Sequence, residues 1–242
     1  MANSISNIAT IAFAAFGAFF NAAEDSALLS SGMGLVGFGS FWFHATLLYH
    51  AQLADELPMI YLTTTTLWLL FDQDSGFTFK TGRTRLLTLI LTLFNTIFTW
   101  TYYLNRNPLY HQVVFGTLLL SIAFRIYYLL TRSTVGTRIP VEKKKTIAIF
   151  FGSGVAQFVL AFLLWNLDNI FCDTITRWKV SVGWPLAFLL EGHSWWHVAS
   201  GTYMKFIGIQ YLTLCMKDDP RKFTLQYKMG LPYVKRVNKK LD

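Results

Sequence analysis

The chain has 242 residues, 53% of them hydrophobic, 17% aromatic and only 14% charged. Soluble domains carry about 25% charged residues, so this balance, with a mean hydropathy of +0.39, excludes an ordinary soluble enzyme. It predicts an all-α integral membrane protein forming one domain over residues 1–242, with a basic cytosolic tail at 217–242. The net charge of +8 does not signal nucleic acid, because eight of the 21 lysines and arginines lie in that tail. Such juxtamembrane charge meets anionic lipid headgroups. Cys172 and Cys215 are too few for a disulfide framework and too far apart for a CxxC site.

Spans need about 20 mostly apolar residues. The first run, 8–22, is short, lacks the basic leader of a signal peptide and reads as a clipped mature helix. An acidic AEDS loop at 23–26 leads to a second span at 27–48, with Ser40 and His44 near its far end. After a polar bend, Asp55 opens the third, 55–71, with Pro58 in its first turn, where proline is tolerated. Polar loop 72–85, span 86–104, turn 105–108, span 109–130, basic loop 132–145 and span 146–167 follow. Mixed-charge residues 168–179 precede the last span, 182–216, which is longer than a bilayer needs. The expectation is a seven-transmembrane helix bundle whose first helix is short or truncated.

With the N-terminus outside, the inner loops and tail hold sixteen lysines and arginines and the outer loops three. The positive-inside rule therefore puts the N-terminus in the lumen and the C-terminus in the cytosol. On that topology Ser40, His44, Asp55, Glu191, His193 and His197 fall at similar depth. Ionisable groups at membrane depth are costly and read by default as functional.

His193 and His197 in GHSWWH are four apart and share a helix face. That is the spacing of the two histidines in HExxH zinc motifs, although Ser194 stands where that motif has its base. His44 offers a third nitrogen, and three protein ligands with an open position suit a catalytic zinc. Asp55 is the candidate for orienting or deprotonating water, and Ser40 for contacting a polarised carbonyl oxygen. Each has a plainer reading: Ser40 beside Gly37 and Gly39 suits helix packing, and Asp55 suits a helix N-terminus. His50 and His111 read as interfacial, and Trp195 and Trp196 as an aromatic belt or a lipid-cavity lining.

The stretch G-x-G-S-x-x-F-H-A-T-L from Gly37, Q-L-x-D-E-L-P-M-I-Y from Gln52, W-N-x-D-N-x-x-C from Trp165 and G-H-x-W-W-H from Gly192 resemble the alkaline ceramidases of the endoplasmic reticulum and Golgi. The resemblance runs from about residue 4 to the end of the last span. It implies a seven-helix zinc amidohydrolase that converts ceramide to sphingosine and a fatty acid, in an endoplasmic reticulum or Golgi membrane. His44, His193 and His197 match its zinc ligands, Asp55 its water-activating acid and Ser40 its serine beside the metal. Family members also carry an upstream segment reading like D-W-C-E-x-N-Y, which supplies calcium ligands and a cysteine partner for the position of Cys172. The sequence starting at MANSISN lacks those Ca2+ ligands, and the expectation is a truncated gene model, an alternative start or a divergent member. A second expectation is a lipid-binding receptor or modulator resembling the progestin and adiponectin receptor group, with little hydrolase activity.

Overall fold

The computed structural model describes residues 2–21, 24–72, 79–200 and 203–237. Ten helices follow in order: α1 (Ala2–Phe20), α2 (Glu24–Thr46), α3 (Tyr49–Phe71), α4 (Gly82–Asn105), α5 (Pro108–Thr131), the single turn α6 (Thr134–Thr137), α7 (Val141–Ile170), α8 (Cys172–Val182), α9 (Gly192–Ser200) and α10 (Tyr203–Lys217). A two-stranded antiparallel hairpin, β1 (Phe223–Lys228) and β2 (Leu231–Arg236), closes the described chain.

Helices α1, α4, α5 and α7 are long and apolar enough to cross a membrane. Only 11% of the α4 apolar window is buried. Leu89, Ile90, Leu93 and Ile97 lie exposed on it, as a lipid-facing helix requires. Helices α2, α3, α9 and α10 carry Ser40, His44, Asp55, Glu56, His193, His197 and Lys205.

Several expectations are corrected. The first helix is not confined to 8–22, because the polar turn at Asn3–Asn7 is helical and finds partners inside the protein. Glu24 to Ser26 of the expected acidic loop already belong to α2, while residues 22 and 23 lie outside the described residues. Helix α3 starts at Tyr49, so Asp55 does not open it and Pro58 lies in its interior. Residues 168–179 are helical, as the end of α7 and most of α8. The long last span is divided. Residues 186–190 form a 3-10 turn after a cis Trp184–Pro185 bond, then come α9 and α10, with 201–202 outside the described residues. The excess length is thus taken up by chain folded back before α9. The tail is a packed hairpin up to residue 236: Tyr203 Oη donates to the Pro232 carbonyl (2.7 Å) and Val234 N–H to Asn21 Oδ1 (2.9 Å).

The apolar core gathers where α3, α5 and α10 end. Leu69, Leu70, Leu129, Ile147 and Leu212 are buried there, and Phe223 and Val234 of the hairpin plug it. The opposite half is held by a close approach of α2 to α3. Pro58 has no N–H to give the Ala54 carbonyl one turn earlier. A Cβ on Gly39 would stand 1.8 Å from that Ala54 oxygen and 2.5 Å from its carbon. Only glycine lets the two backbones meet here, as small residues do between membrane helices. Substituting Gly39→Ala should therefore lower the melting temperature in detergent, by the equivalent of about 1–3 kcal/mol of overpacking or more. Gly34→Ala, whose new Cβ would meet Ala14 Cβ at an ordinary 3.6 Å, should change it little.

Candidate metal centre and lipid cavity

The α2–α3 contact involves Gly39 and the Ala54 backbone, so the next residues, Ser40 and Asp55, are neighbours, and both line one cavity. His44 lies one turn beyond Ser40, in the last turn of α2. Across from it, α9 presents His193 and His197 on one face. The three imidazoles face one another with ring centroids 4.7, 4.8 and 4.7 Å apart. One nitrogen from each lies within 4.8 Å of the others, and this is the one three-residue group of possible metal ligands among the described residues. His193 Nε2 and His44 Nε2 are 3.2 Å apart, close to the edge of a tetrahedron with metal–nitrogen arms of about 2.0 Å. A neutral set of three imidazoles fits a divalent ion of borderline softness.

The His193 and His197 rings are held from behind. The Trp165 indole N–H donates to His193 Nδ1 at 2.8 Å, and Asp168 Oδ2 accepts the His193 backbone N–H at 3.2 Å, capping α9. Asp168 is fixed in turn by Lys179, whose ammonium also reaches Glu191 Oε2 at 3.0 Å. Burial opposes the Lys179 charge, but its bonds to Glu191 and Asp168 prevail and raise its pKa above the usual lysine value.

The first helix holds His197. Ser6 Oγ donates to the Asn3 carbonyl (2.9 Å) and lies 2.9 Å from His197 Nδ1. Its lone pair therefore accepts from an Nδ1–H, leaving the Nε2 lone pair turned inward, 3.4 Å from Ser40 Oγ. Asn7 Nδ2 is 3.3 Å from the same ring nitrogen and gives its hydrogen bond to the Asn3 carbonyl at 2.9 Å. Thr10 Oγ1 donates to the His197 carbonyl (3.0 Å), and Ser194 Oγ donates to Asn3 Oδ1 (2.8 Å). Sequence reading missed this shell. Its signal was the polar spacing Asn3, Asn7, Thr10, one face of a helix, which a helix begun at residue 8 hides.

All three histidines, Asp55 and Ser40 line one cavity of about 530 Å3 that continues between α3, α5, α7 and α10 past Phe115, Leu119, Phe151 and Ile209. His111 is not interfacial. It is buried in the cavity wall, with Nε2 donating to the Glu56 carbonyl at 3.0 Å. Glu56 accepts from the buried Tyr102 hydroxyl and from Gln52 Nε2 (3.2 Å), tying α3 to α4. Trp196 lines the cavity, whereas Trp195 turns away and donates to the Leu189 carbonyl (3.0 Å). Cys172 and Cys215 are both free, Cys172 exposed and Cys215 buried.

A family model described as Ceramidase matches residues 1–235. Alkaline ceramidase 3 of Mus musculus is 33% identical over 228 residues, covering 90% of this chain and 80% of the relative. Alkaline ceramidase YPC1 of Saccharomyces cerevisiae is 29% identical, over 88% and 69% of the two chains. The alkaline ceramidase of Arabidopsis thaliana is 28% identical, over 96% and 84%. With four helices among the described residues long and apolar enough to cross a membrane, this chain is a membrane protein and belongs to the ceramidase family.

Proposed function

We propose that the protein hydrolyses the amide bond of ceramide, releasing sphingosine and a free fatty acid, and that zinc is its metal. The observation that carries this is the three-imidazole cluster beside Asp55 at the head of an apolar cavity large enough for alkyl chains. His44, His193 and His197 would hold the ion, which when bound supplies Lewis acidity toward a water and the amide carbonyl. Asp55, a carboxylate in a largely apolar enclosure, takes the proton of the attacking water and returns it to the leaving amine. The Ser40 hydroxyl donates to the carbonyl oxygen as negative charge develops on it. Trp165, Ser6 and Asp168 orient the rings, and the cavity takes the acyl chain while excluding bulk water.

In the same reading α1, α2, α3, α4, α5, α7 and the α9–α10 pair are seven spans of a single domain over 1–242. The N-terminus is then lumenal, the hairpin cytosolic, and the membrane that of the endoplasmic reticulum or Golgi. Lysines and arginines concentrated at the hairpin end support this orientation.

Substitutions at three positions test the roles in purified, zinc-loaded protein. His193→Ala should lose both bound zinc and sphingosine release. Asp55→Asn should keep its zinc while turnover falls by about a hundredfold or more. Ser6→Ala should weaken zinc binding by about 10–100-fold, the usual effect of removing a group that orients a ligand, and Ser6→Thr should restore it. Zinc bound by the wild type without any cleavage of ceramide would sink the hydrolase reading and favour a lipid-binding modulator.

A further inference from the structure

Lys205 has no part in the chemistry above, yet it is the only lysine or arginine among the described residues lining the cavity. Its side chain is largely buried, with 9% relative exposure, in the first turn of α10. Two rings face the ammonium, Phe158 at 5.0 Å and Phe206 at 5.5 Å. No hydrogen bond or ion pair reaches it from the described residues. Cation–π contact offsets part of the cost of such burial but does not neutralise the charge. Lysines near the ends of membrane helices ordinarily snorkel to water; this one points into the cavity. Its backbone is pinned there, because a Cβ on Gly154 of α7 would stand 2.5 Å from Lys205 N and 2.8 Å from its Cα.

Helix α7 measures the depth. Trp165 bonds His193, and Phe158, which faces the ammonium, lies seven residues earlier, about 10 Å along the helix axis. A fixed positive charge therefore stands roughly two helical turns below the imidazoles, inside the same apolar cavity.

We infer that Lys205 forms an anion subsite that holds the carboxylate of a free long-chain fatty acid within the cavity. This rests on the hydrolysis proposed above, which turns a neutral amide into one carboxylate and one amine. The amine product becomes an ammonium, which Lys205 repels. The carboxylate is the new charge left in an apolar enclosure, and Lys205 offers it a partner away from the histidines. A single ammonium between aromatic rings matches a monoanion on an alkyl chain. A phosphate calls for several converging donors.

The test is displacement of a fluorescent fatty acid from the full-length zinc-loaded protein by oleate, methyl oleate and oleyl phosphate. Wild-type protein should prefer oleate to methyl oleate at least tenfold. Lys205→Met should abolish that preference, and Lys205→Arg should keep it. Removing a buried charge should leave the Lys205→Met melting temperature unchanged or raised, and Lys205→Gln serves as a second neutral variant should Met fail to fold. Equal affinity of the wild type for oleate and methyl oleate would overturn the inference, as would a preference surviving in both neutral variants. Oleyl phosphate binding more tightly than oleate in a Lys205-dependent way would overturn the carboxylate assignment. Since displacement needs no turnover, oleate selectivity without ceramide cleavage would count against the reaction and leave the subsite standing.

Discussion

Gly39 and the Ala54 carbonyl meet at a distance no side chain would permit, 1.8 Å from where a Cβ would stand, and the site is built outward from that contact. Pro58 deprives the same carbonyl of its ordinary helical donor at the point where α2 comes closest to α3. The next residue on each helix is then Ser40 or Asp55, and one further turn along α2 is His44. A missing side chain and a missing N–H together bring an acid, a hydroxyl and an imidazole to one place.

Polar groups gathered inside a membrane protein must find their partners within the protein. Here the partners come from three directions. The first turns of α1 supply Asn3, Ser6 and Thr10 to α9. Trp165 and Asp168 at the end of α7 hold His193 and its backbone, and α8 folds back to bring Lys179 onto Asp168. The α9 segment is therefore clamped at both ends. Rigid support from several elements is what a metal centre requires if its ligands are to keep their geometry. Below the imidazoles the walls are mostly Phe, Leu, Ile and Val, broken by Thr63, Thr66, His111, Gln112 and Lys205.

The chain alone determines its class and much of its chemistry. A 14% share of charged residues, against about 25% in soluble domains, points to a membrane environment. The i, i+4 spacing of His193 and His197 puts their rings on one face of any helix, and the motifs around Gly37, Asp55 and Gly192 carry the family resemblance that the Ceramidase model also finds. These features are local or compositional, and each survives without knowledge of packing. What only the tertiary structure decided are the matters in which long-range partners outweigh local pattern. Asn3 to Asn7 look like a polar end, but they form a helical turn because His197 and Ser194 satisfy them from about 190 residues away. Pro58 looks like a first-turn proline, yet α3 begins at Tyr49 because tertiary packing tolerates a break in the ladder. His111 looks interfacial until the Glu56 carbonyl is seen to accept its hydrogen bond. Lys205 reads as a stray charge in an apolar span until the cavity beneath the imidazoles appears. Hydropathy and periodicity measure how a residue relates to its neighbours in the chain. Whether a buried polar group is affordable depends on partners that only the folded helices bring within hydrogen-bonding reach.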